Sequence, residues 1–296
     1  MTALPPDGAP AAPQAAPVCP RHPSREAYVR CQRCERPTCP ECQRPAAVGI
    51  QCVDCVREGA KTVRGARTVL GGRAGDGRPV VTQSIIGLCV VAFLLQFAGG
   101  NAFTSNLVFW NPAALTEPWR FLTSGFLHST SFVLHIVFNM YILWMIGPYL
   151  EQLLGRVRFA ALYLLSLLGG NVGYFVMSVP SGAPNAEWWA SALGASGAVF
   201  GLFAAMFVVN RRLNRDIGGV VGIIAINLAL GFFVNGIAWQ AHVGGLLTGA
   251  AVAAGLAYAP RERQKVLHAL TFAGVAVLLV VLVLVKAATV PAGLLA

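Results

Sequence analysis

From residue 80 onward the sequence is a succession of apolar runs, each comparable in length to the thickness of a lipid bilayer. Seven runs can be drawn, centred on residues 84–97, 127–150, 159–179, 194–209, 218–234, 238–258 and 269–285. A helix rises about 1.5 Å per residue, so helices built on such runs can cross a hydrocarbon core roughly 30 Å thick. With 56% hydrophobic and 11% charged residues, the composition agrees. We therefore predict an all-α polytopic membrane protein with seven transmembrane helices.

The basic residues indicate how these helices are oriented. Residues 1–80 contain 12 Lys or Arg against 7 Asp or Glu, and the other ten basic residues lie almost entirely in short loops. If the N-terminus is cytoplasmic, most of these loops fall inside, as the positive-inside rule expects. The seventh span then places the C-terminus on the outer face of the cell membrane. No nucleic-acid reader motif accompanies the net charge of +10, so we expect no nucleic-acid partner.

Composition divides the rest of the chain. Residues 1–18 are rich in Ala and Pro, which predicts a disordered N-terminus, and residues 57–79 are rich in Gly and Arg, which predicts a flexible basic linker. That linker could contact anionic lipid. Between them, residues 19–56 form a Cys-rich module. Residues 80–258 form the six-helix core, and residues 259–296 form a cytosolic loop and the seventh helix.

The Cys-rich module contains four pairs of metal-ligand residues, each pair three positions apart. They are Cys19 and His22, Cys31 and Cys34, Cys39 and Cys42, and Cys52 and Cys55. Eight such ligands suit two tetrahedral zinc ions. A disulfide framework is the alternative, but a reducing cytosol disfavours it and the histidine would have no role in it. We predict two structural Zn²⁺ ions, bound by sequential or by interleaved pairs, in a module whose role is structural or partner-binding.

Polar residues inside the apolar runs predict where the chemistry lies, because such groups are costly in a membrane. Ser196 follows Gly194 at the start of the fourth run, His242 lies in the sixth, and His135 and Asn139 share one helix face in the second. The fourth and sixth runs start at the same face. If the segments before these residues are helical, all three groups lie about 10 Å below the outer helix ends. Helix packing or interhelical hydrogen bonding is the alternative for each residue taken alone.

The joint pattern resembles the rhomboid family of intramembrane serine proteases over residues 80–258. The matching segments are TEPWRFLTSGFLH, HIVFN, GASG and AHVGGLLTG. The resemblance implies a six-helix core followed by a seventh helix. It also implies hydrolysis of peptide bonds in or near the transmembrane segments of single-pass membrane proteins, with no cofactor for catalysis.

Residue roles follow from that resemblance. Ser196 would be the nucleophile and His242 the general base, with His135, Asn139 and the Ser196 backbone amide stabilising the oxyanion. The remaining residues would support the loop and the packing around them: Glu117, Trp119, Arg120, Gly194, Gly197, Phe200, Gly245 and Gly249. Phe200 stands where many members have a Tyr that packs on the histidine. No Asp or Glu lies where it could orient His242, so packing would have to position it.

The Cys-rich module resembles a B-box-type zinc finger with cross-braced ligands. This resemblance implies that Cys19, His22, Cys39 and Cys42 bind one ion, and that Cys31, Cys34, Cys52 and Cys55 bind the second. A protein partner of this module is a further expectation.

Two other functions fit parts of the pattern. One is a catalytically silent rhomboid-like protein that binds membrane clients, against which the presence of both Ser196 and His242 argues. The other is a small transporter with His135 and His242 as a proton relay, but it lacks the paired intramembrane carboxylates that such relays often use.

Overall fold

A computed structural model describes residues 15–62, 68, 70–71, 77–234, 236–291 and 293–295. The chain divides into two compact units, Met1–Gly65 and Ala66–Ala296. Most of the predicted disordered segment (1–18) and about half of the predicted linker (57–79) lie outside the described residues. The domain boundaries within these segments therefore stay predictions.

The first unit is small and built around cysteines. Its elements are strands β1 (Val18–Cys19), β2 (His22–Glu26), β3 (Gln43–Pro45) and β4 (Ile50–Cys52), a 3-10 turn (Pro40–Cys42) and helix α1 (Val53–Thr62). Strands β1 and β2 pair antiparallel, as do β3 and β4. Within the described part of this unit, Ala27 is the one fully buried hydrophobic residue that is not a cysteine. So small an apolar core cannot stabilise a fold without cross-links or metal.

The second unit is helical. Its helices are α2 (Val80–Leu107), α3 (Arg120–Thr123), α4 (Leu134–Leu154), α5 (Arg156–Met177), α6 (Ser196–Arg212), α7 (Gly218–Phe233), α8 (Trp239–Ala257) and α9 (Gln264–Thr289). Four described segments are long and apolar enough to cross a membrane, namely Val80–Leu107, Arg156–Met177, Trp239–Ala257 and Arg261–Thr289. The predicted class, a mostly helical multi-pass membrane protein with a Cys-rich module before it, is confirmed.

One helix, α4, begins seven residues later than its apolar run suggested, and α6 and α8 begin within two residues of theirs. Helix α4 begins at Leu134, α6 at Ser196 and α8 at Trp239. The residues before α4 form side-chain turns instead, because the Ser129 hydroxyl accepts a hydrogen bond from the Phe132 amide. Our assumption that helical segments carry the polar residues about 10 Å down is therefore wrong. His135, Ser196 and His242 each lie in the first turn of a helix, and non-helical loops lead to them.

The segment before α6 is extended because it pairs with the segment that follows α2. Strand β5 (Phe109–Trp110) pairs antiparallel with β6 (Ser191–Ala192). Two residues later, Gly194 has φ +127°, a conformation that a side chain would strain, and its amide donates to the Ser124 carbonyl at 3.0 Å. This turn ends the strand and allows α6 to begin at Ser196.

Glycines bring α6 and α8 into backbone contact. A Cβ on Gly245 would overlap the backbone of Gly197, and a Cβ on Gly249 would overlap that of Gly201. Because both pairs have the same offset in sequence, the two helices run parallel, with their first turns side by side. Glycines on α5 allow a similar approach, since a Cβ on Gly170 would lie 3.1 Å from both the Ala241 carbonyl oxygen and Gly197 Cα. The small residues thus fix the separation between the helices that carry Ser196 and His242.

Candidate active site and metal centres

Ser196 and His242 are in hydrogen-bond contact. Their Oγ and Nε2 atoms lie 2.9 Å apart, the distance expected of a nucleophile and its base. The imidazole stacks on the Phe200 ring, with centroids 4.2 Å apart and an interplanar angle of 12°. Its second nitrogen, Nδ1, is buried and has no hydrogen-bond partner among the described residues. The orientation of His242 therefore depends on packing.

His135 lies beside this pair. The Ser129 amide donates a hydrogen bond to His135 Nδ1 at 3.3 Å, so a neutral His135 carries its proton on Nε2. That edge of the ring faces Gly194, where an added Cβ would lie 2.8 Å from Nε2 and 3.8 Å from Ser196 Oγ. An N–H donor is therefore directed toward the immediate surroundings of the serine hydroxyl. Only a glycine at position 194 leaves room for it.

Asn139 lies one turn further along α4. Its Nδ2 donates to the His135 carbonyl at 2.8 Å, which fixes the amide on the His135 face of the helix. One N–H of this amide and its oxygen remain for other partners. His135 and Asn139 thus share one face of α4, and both line the cavity that contains Ser196.

These residues line a cavity of about 690 Å³. Polar side chains in its wall include Ser129, Ser191 and Asn227, and apolar ones include Phe132, Phe138 and Ile142. The volume lies within the range of ligand-binding clefts, and the lining can hold water beside apolar side chains. Hydrolysis within an apolar helical bundle needs such a chamber.

The loop between α2 and α4 is held by Arg120. Its guanidinium is buried and contacts the Glu117 carboxylate and the Ser105 carbonyl, and it donates to the Val108 carbonyl at 2.8 Å. The indole of Trp119, which is half exposed, donates to the Asn106 carbonyl at 3.2 Å. The three loop residues singled out in the sequence therefore all make contacts within this loop region.

Two further contacts, one close to the site and one at the opposite end of the helical bundle, involve residues that the sequence analysis did not single out. Gln240 in α8 contacts Glu187 in the loop before β6. At the opposite end of the bundle, the buried Glu151 accepts hydrogen bonds from the amides of Val81 and Thr82 at 3.0 and 2.9 Å. The available signal for Glu151 was a lone carboxylate at the end of an apolar run.

The eight predicted zinc ligands gather into two groups in the first unit. The groups are Cys19, His22, Cys39 and Cys42, and Cys31, Cys34, Cys52 and Cys55, with all ligand atoms of a group within 4.8 Å of one another. The Sγ atoms of Cys34 and Cys52 lie 3.8 Å apart, close to the edge of about 3.8 Å expected for a tetrahedron with Zn–S bonds of 2.3 Å. His22 faces its group through Nδ1, 3.2 Å from Cys39 Sγ.

Backbone hydrogen bonds favour the thiolate form of two of these cysteines, Cys19 and Cys31, whereas burial raises the pKa of Cys42 to about 11 and a hydrogen bond with Cys34 raises the pKa of Cys55 to about 12. The Cys52 amide donates to Cys31 Sγ at 3.2 Å. A hydrogen bond with the Cys39 backbone is the largest influence lowering the pKa of the Cys19 thiol to about 6. The Nε2 of His22 lies 3.9 Å from a Glu41 oxygen, which leaves Nδ1 for a metal. The donor types and spacings fit two metal ions with interleaved ligands, and zinc in both stays a prediction.

Fold and site together define a multi-pass helical membrane protein with a serine–histidine pair inside a cavity at the first turns of two parallel helices. The profile of the Rhomboid domain matches residues 115–259. Rhomboid protease GluP of Bacillus subtilis is 36% identical over 215 residues, covering 68% of this chain and 40% of the relative. The chain belongs to the rhomboid family.

Other relatives are more distant. RHOMBOID-like protein 6, mitochondrial, of Arabidopsis thaliana is 34% identical over 145 residues, covering 45% of this chain and 42% of the relative. Rhomboid protease GlpG of Yersinia pestis is 29% identical over 178 residues, covering 57% and 60%. The chain therefore spans between 40% and 60% of the length of these relatives.

Proposed function

We propose that this protein is an intramembrane serine protease that cleaves peptide bonds in or near the transmembrane segments of other membrane proteins. The observation that carries the proposal is the 2.9 Å contact between Ser196 Oγ and His242 Nε2 within a cavity of an otherwise apolar bundle. The family relationship supports the same reaction class, since two of the relatives bear the name of rhomboid proteases.

The chemistry follows from the donors and acceptors around Ser196. A neutral His242 with its proton on Nδ1 accepts the Ser196 proton at Nε2 while Oγ attacks the scissile carbonyl. The imidazolium then gives this proton to the leaving amine, and an acyl-enzyme remains. Water, deprotonated by the same nitrogen, attacks the ester, and the Ser196 hydroxyl is restored.

The negative oxygen formed in each attack needs donors that are already in place. The Nε2–H of His135, the side-chain amide of Asn139 and the Ser196 backbone amide are assigned to this role. Ser196 also begins α6, and the positive end of the helix dipole favours an anion there. In a site of low dielectric such fixed donors contribute strongly to the rate. Among the residues that the structure describes, no carboxylate pairs with His242, so we expect a lower rate than that of a full triad.

The substrates proposed are single-pass membrane proteins in the same lipid bilayer. The proposed orientation is that of the positive-inside rule, with the N-terminus and its zinc module cytoplasmic and the C-terminus outside. The zinc module would then be available to a cytoplasmic protein partner.

The test is cleavage in a bilayer. The purified protein is reconstituted into vesicles with a model single-span substrate, and wild type is compared with Ser196→Ala and His242→Ala. We expect cleavage by wild type and a loss of at least about a thousandfold in each variant, since either residue is required for nucleophilic attack. A matched control is Ser105→Ala, a serine in the outer part of α2.

Other outcomes would reject the assignment. Cleavage that persists in both variants would exclude the Ser196–His242 pair as the source of activity. If no tested single-span substrate is cut but one is retained by wild type and by Ser196→Ala alike, the protein is a client-binding member of the family instead.

A further inference from the structure

His242 must be positioned by something other than a hydrogen bond to its Nδ1. The ring stacks on Phe200, which restrains its tilt but not the position of the first turn of α8 along the helix axis. Within the described part of the chain, no side-chain hydrogen bond caps this helix at Ala238. The distance between His242 Nε2 and Ser196 Oγ therefore depends on whatever fixes the first turn of α8.

Gln240 belongs to that first turn, two residues before His242. Its side chain is only 2% exposed, and its Nε2 donates a hydrogen bond to the Glu187 carboxylate. Glu187 lies in the loop that leads to Ser196, nine residues before it. One side-chain contact thus joins the two segments that carry the serine and the histidine. A hydrogen bond to an ionised acceptor is stronger than one between neutral groups.

The Glu187 side of this contact is firmly held. Glu187 begins a 3-10 turn that ends at Trp189. Within it, Trp188 is fully buried, and its carbonyl accepts a hydrogen bond from Asn111 Nδ2 at 3.2 Å. The Trp189 indole donates to the Ser181 carbonyl at 2.9 Å. The turn can therefore act as a fixed point against which α8 is located.

A merely space-filling role does not explain Gln240. Its Oε1 is buried and has no partner among the described residues, and an unpaired buried carbonyl costs free energy that an apolar side chain of similar size would avoid. The polar residue is explained by the hydrogen bond that its Nε2 makes.

We propose that Gln240 and Glu187 are positioning residues that hold His242 within hydrogen-bond distance of Ser196. Neither touches the reacting atoms. The inference rests on the proposed protease function. In a triad, a carboxylate orients the histidine by a direct hydrogen bond. Gln240 and Glu187 would orient His242 indirectly, through the backbone of α8.

The experiment measures kcat and KM per mole of folded protein in vesicles, together with the melting temperature. Gln240→Leu removes the donor, and we expect kcat to fall about tenfold or more with KM within about twofold, because misplacement by a fraction of an ångström affects the chemical step. Gln240→Glu faces Glu187 with a second carboxylate and should lower kcat at least as much.

The exchanged pair, Glu187→Gln with Gln240→Glu, restores an amide opposite a carboxylate and should recover kcat to within about threefold of wild type. Gln152→Leu is the control and should leave kcat unchanged, because Gln152 lies near the end of α4, away from His135 at its start.

The outcomes separate the two levels of inference. If wild type cleaves and Gln240→Leu keeps the wild-type kcat, the positioning role is wrong and the protease function stands. If kcat falls but the exchanged pair regains only its melting temperature, the contact is merely structural and the positioning role is again wrong. If wild type cleaves none of the substrates, the protease function fails and the positioning role fails with it.

Discussion

At the level of single residues, the histidine of this site is held by an aromatic ring where a triad would use a carboxylate. Phe200 lies one turn after Ser196 on α6, so the same helix carries the proposed nucleophile and the ring that supports its proposed base. Stacking restrains the plane of the imidazole, but the uncharged phenyl ring supplies no negative charge to stabilise a protonated His242. The reaction would then depend on how well that plane is maintained.

Phe200→Ala should weaken this restraint. An aromatic pair contributes about 0.5–1.5 kcal/mol beyond its buried area, so we expect kcat to fall by about twofold to tenfold. Phe200→Tyr keeps the ring and should retain most of the activity. Kinetics in vesicles with the model substrate measure both, and Phe97→Ala, whose ring packs edge-on against Phe93 in α2, serves as the control. Equal kcat in wild type and Phe200→Ala would show that stacking does not position the base.

Much of the residue-level site could be predicted because polar groups in apolar runs are rare and costly. Ser196, His242, His135 and Asn139 are visible for that reason. The contact between Gln240 and Glu187 is not, since a glutamine at a helix start and a glutamate in a polar loop look like ordinary solvated groups. Only tertiary structure brings them together.

At the level of elements, the site depends on how closely α6 and α8 approach. The parallel glycine pairs, Gly197 with Gly245 and Gly201 with Gly249, leave no room for a side chain between the two backbones. In a membrane such contacts are stabilised by van der Waals packing, because the apolar lipid provides no hydrophobic driving force between helices. The same spacing sets the distance between Ser196 and His242.

Gly245→Val should therefore impair both activity and stability. The new methyl groups would overlap the Gly197 backbone and force the helices apart, at a cost of about 1–3 kcal/mol in folding. We expect at least about a tenfold loss of kcat, since the hydrogen bond between the two side chains would lengthen. Gly274→Val is a matched control on α9, where an added Cβ meets nothing within 4 Å. Comparable losses of kcat in Gly245→Val and Gly274→Val would show that activity does not specifically require the close approach of α6 and α8.

Glu151 stabilises a different junction, the start of α2. Its carboxylate accepts hydrogen bonds from the amides of Val81 and Thr82 and, at 2.8 Å, from the Thr82 hydroxyl. All three partners are donors, and free amides at a helix start favour a negative charge. This carboxylate therefore caps α2 from α4.

Glu151→Gln should lower the free energy of unfolding by about 1–3 kcal/mol, because the amide nitrogen would face donors and the charge would be lost. Thermal unfolding in detergent measures the change, with the exposed Glu262→Gln as control. Catalysis per folded molecule should remain near that of wild type. An unchanged melting temperature would show that water replaces the cap.

The helix boundaries illustrate what patterns of hydropathy leave open. Apolar runs predict that helices exist, but the loops before α4 and α6 are also rich in apolar residues. Before α4, the Ser129 hydroxyl accepts a local hydrogen bond that forms a turn, and before α6, Gly194 has a positive φ. In addition, β6 pairs with β5, a segment about 80 residues away in the sequence. Such non-local pairing has no signature in one apolar run.

At the level of the whole molecule, the chain combines two units with different sources of stability. The helical unit buries a large apolar core, whereas the Cys-rich unit buries little besides its cysteines. The composition changes around residues 57–79, where a linker between the two is predicted. For a unit with so small a core, the free energy of metal binding is also the free energy of folding.

The interleaved arrangement of the zinc ligands can be tested by counting metal. Cys19 and Cys39 belong to one group, and Cys31 belongs to the other. Replacing Cys19 and Cys39 together by Ser should lose about one of two zinc ions, whereas replacing Cys19 and Cys31 together should lose both, since a structural site tolerates few missing ligands. Sequential pairing gives the reverse result.

Elemental analysis of the purified full-length protein decides between these arrangements, with Cys89→Ser as the control. Cys89 is fully buried in α2 and belongs to neither group, so that variant should keep both ions. Two ions retained in both double variants would mean that the groups bind no zinc. If the counts follow the interleaved pattern, each ion joins segments far apart in the module, because the ligands of one group span residues 19–42 and those of the other span residues 31–55. Loss of either ion would then loosen the whole module, and chelation should unfold it in a single step.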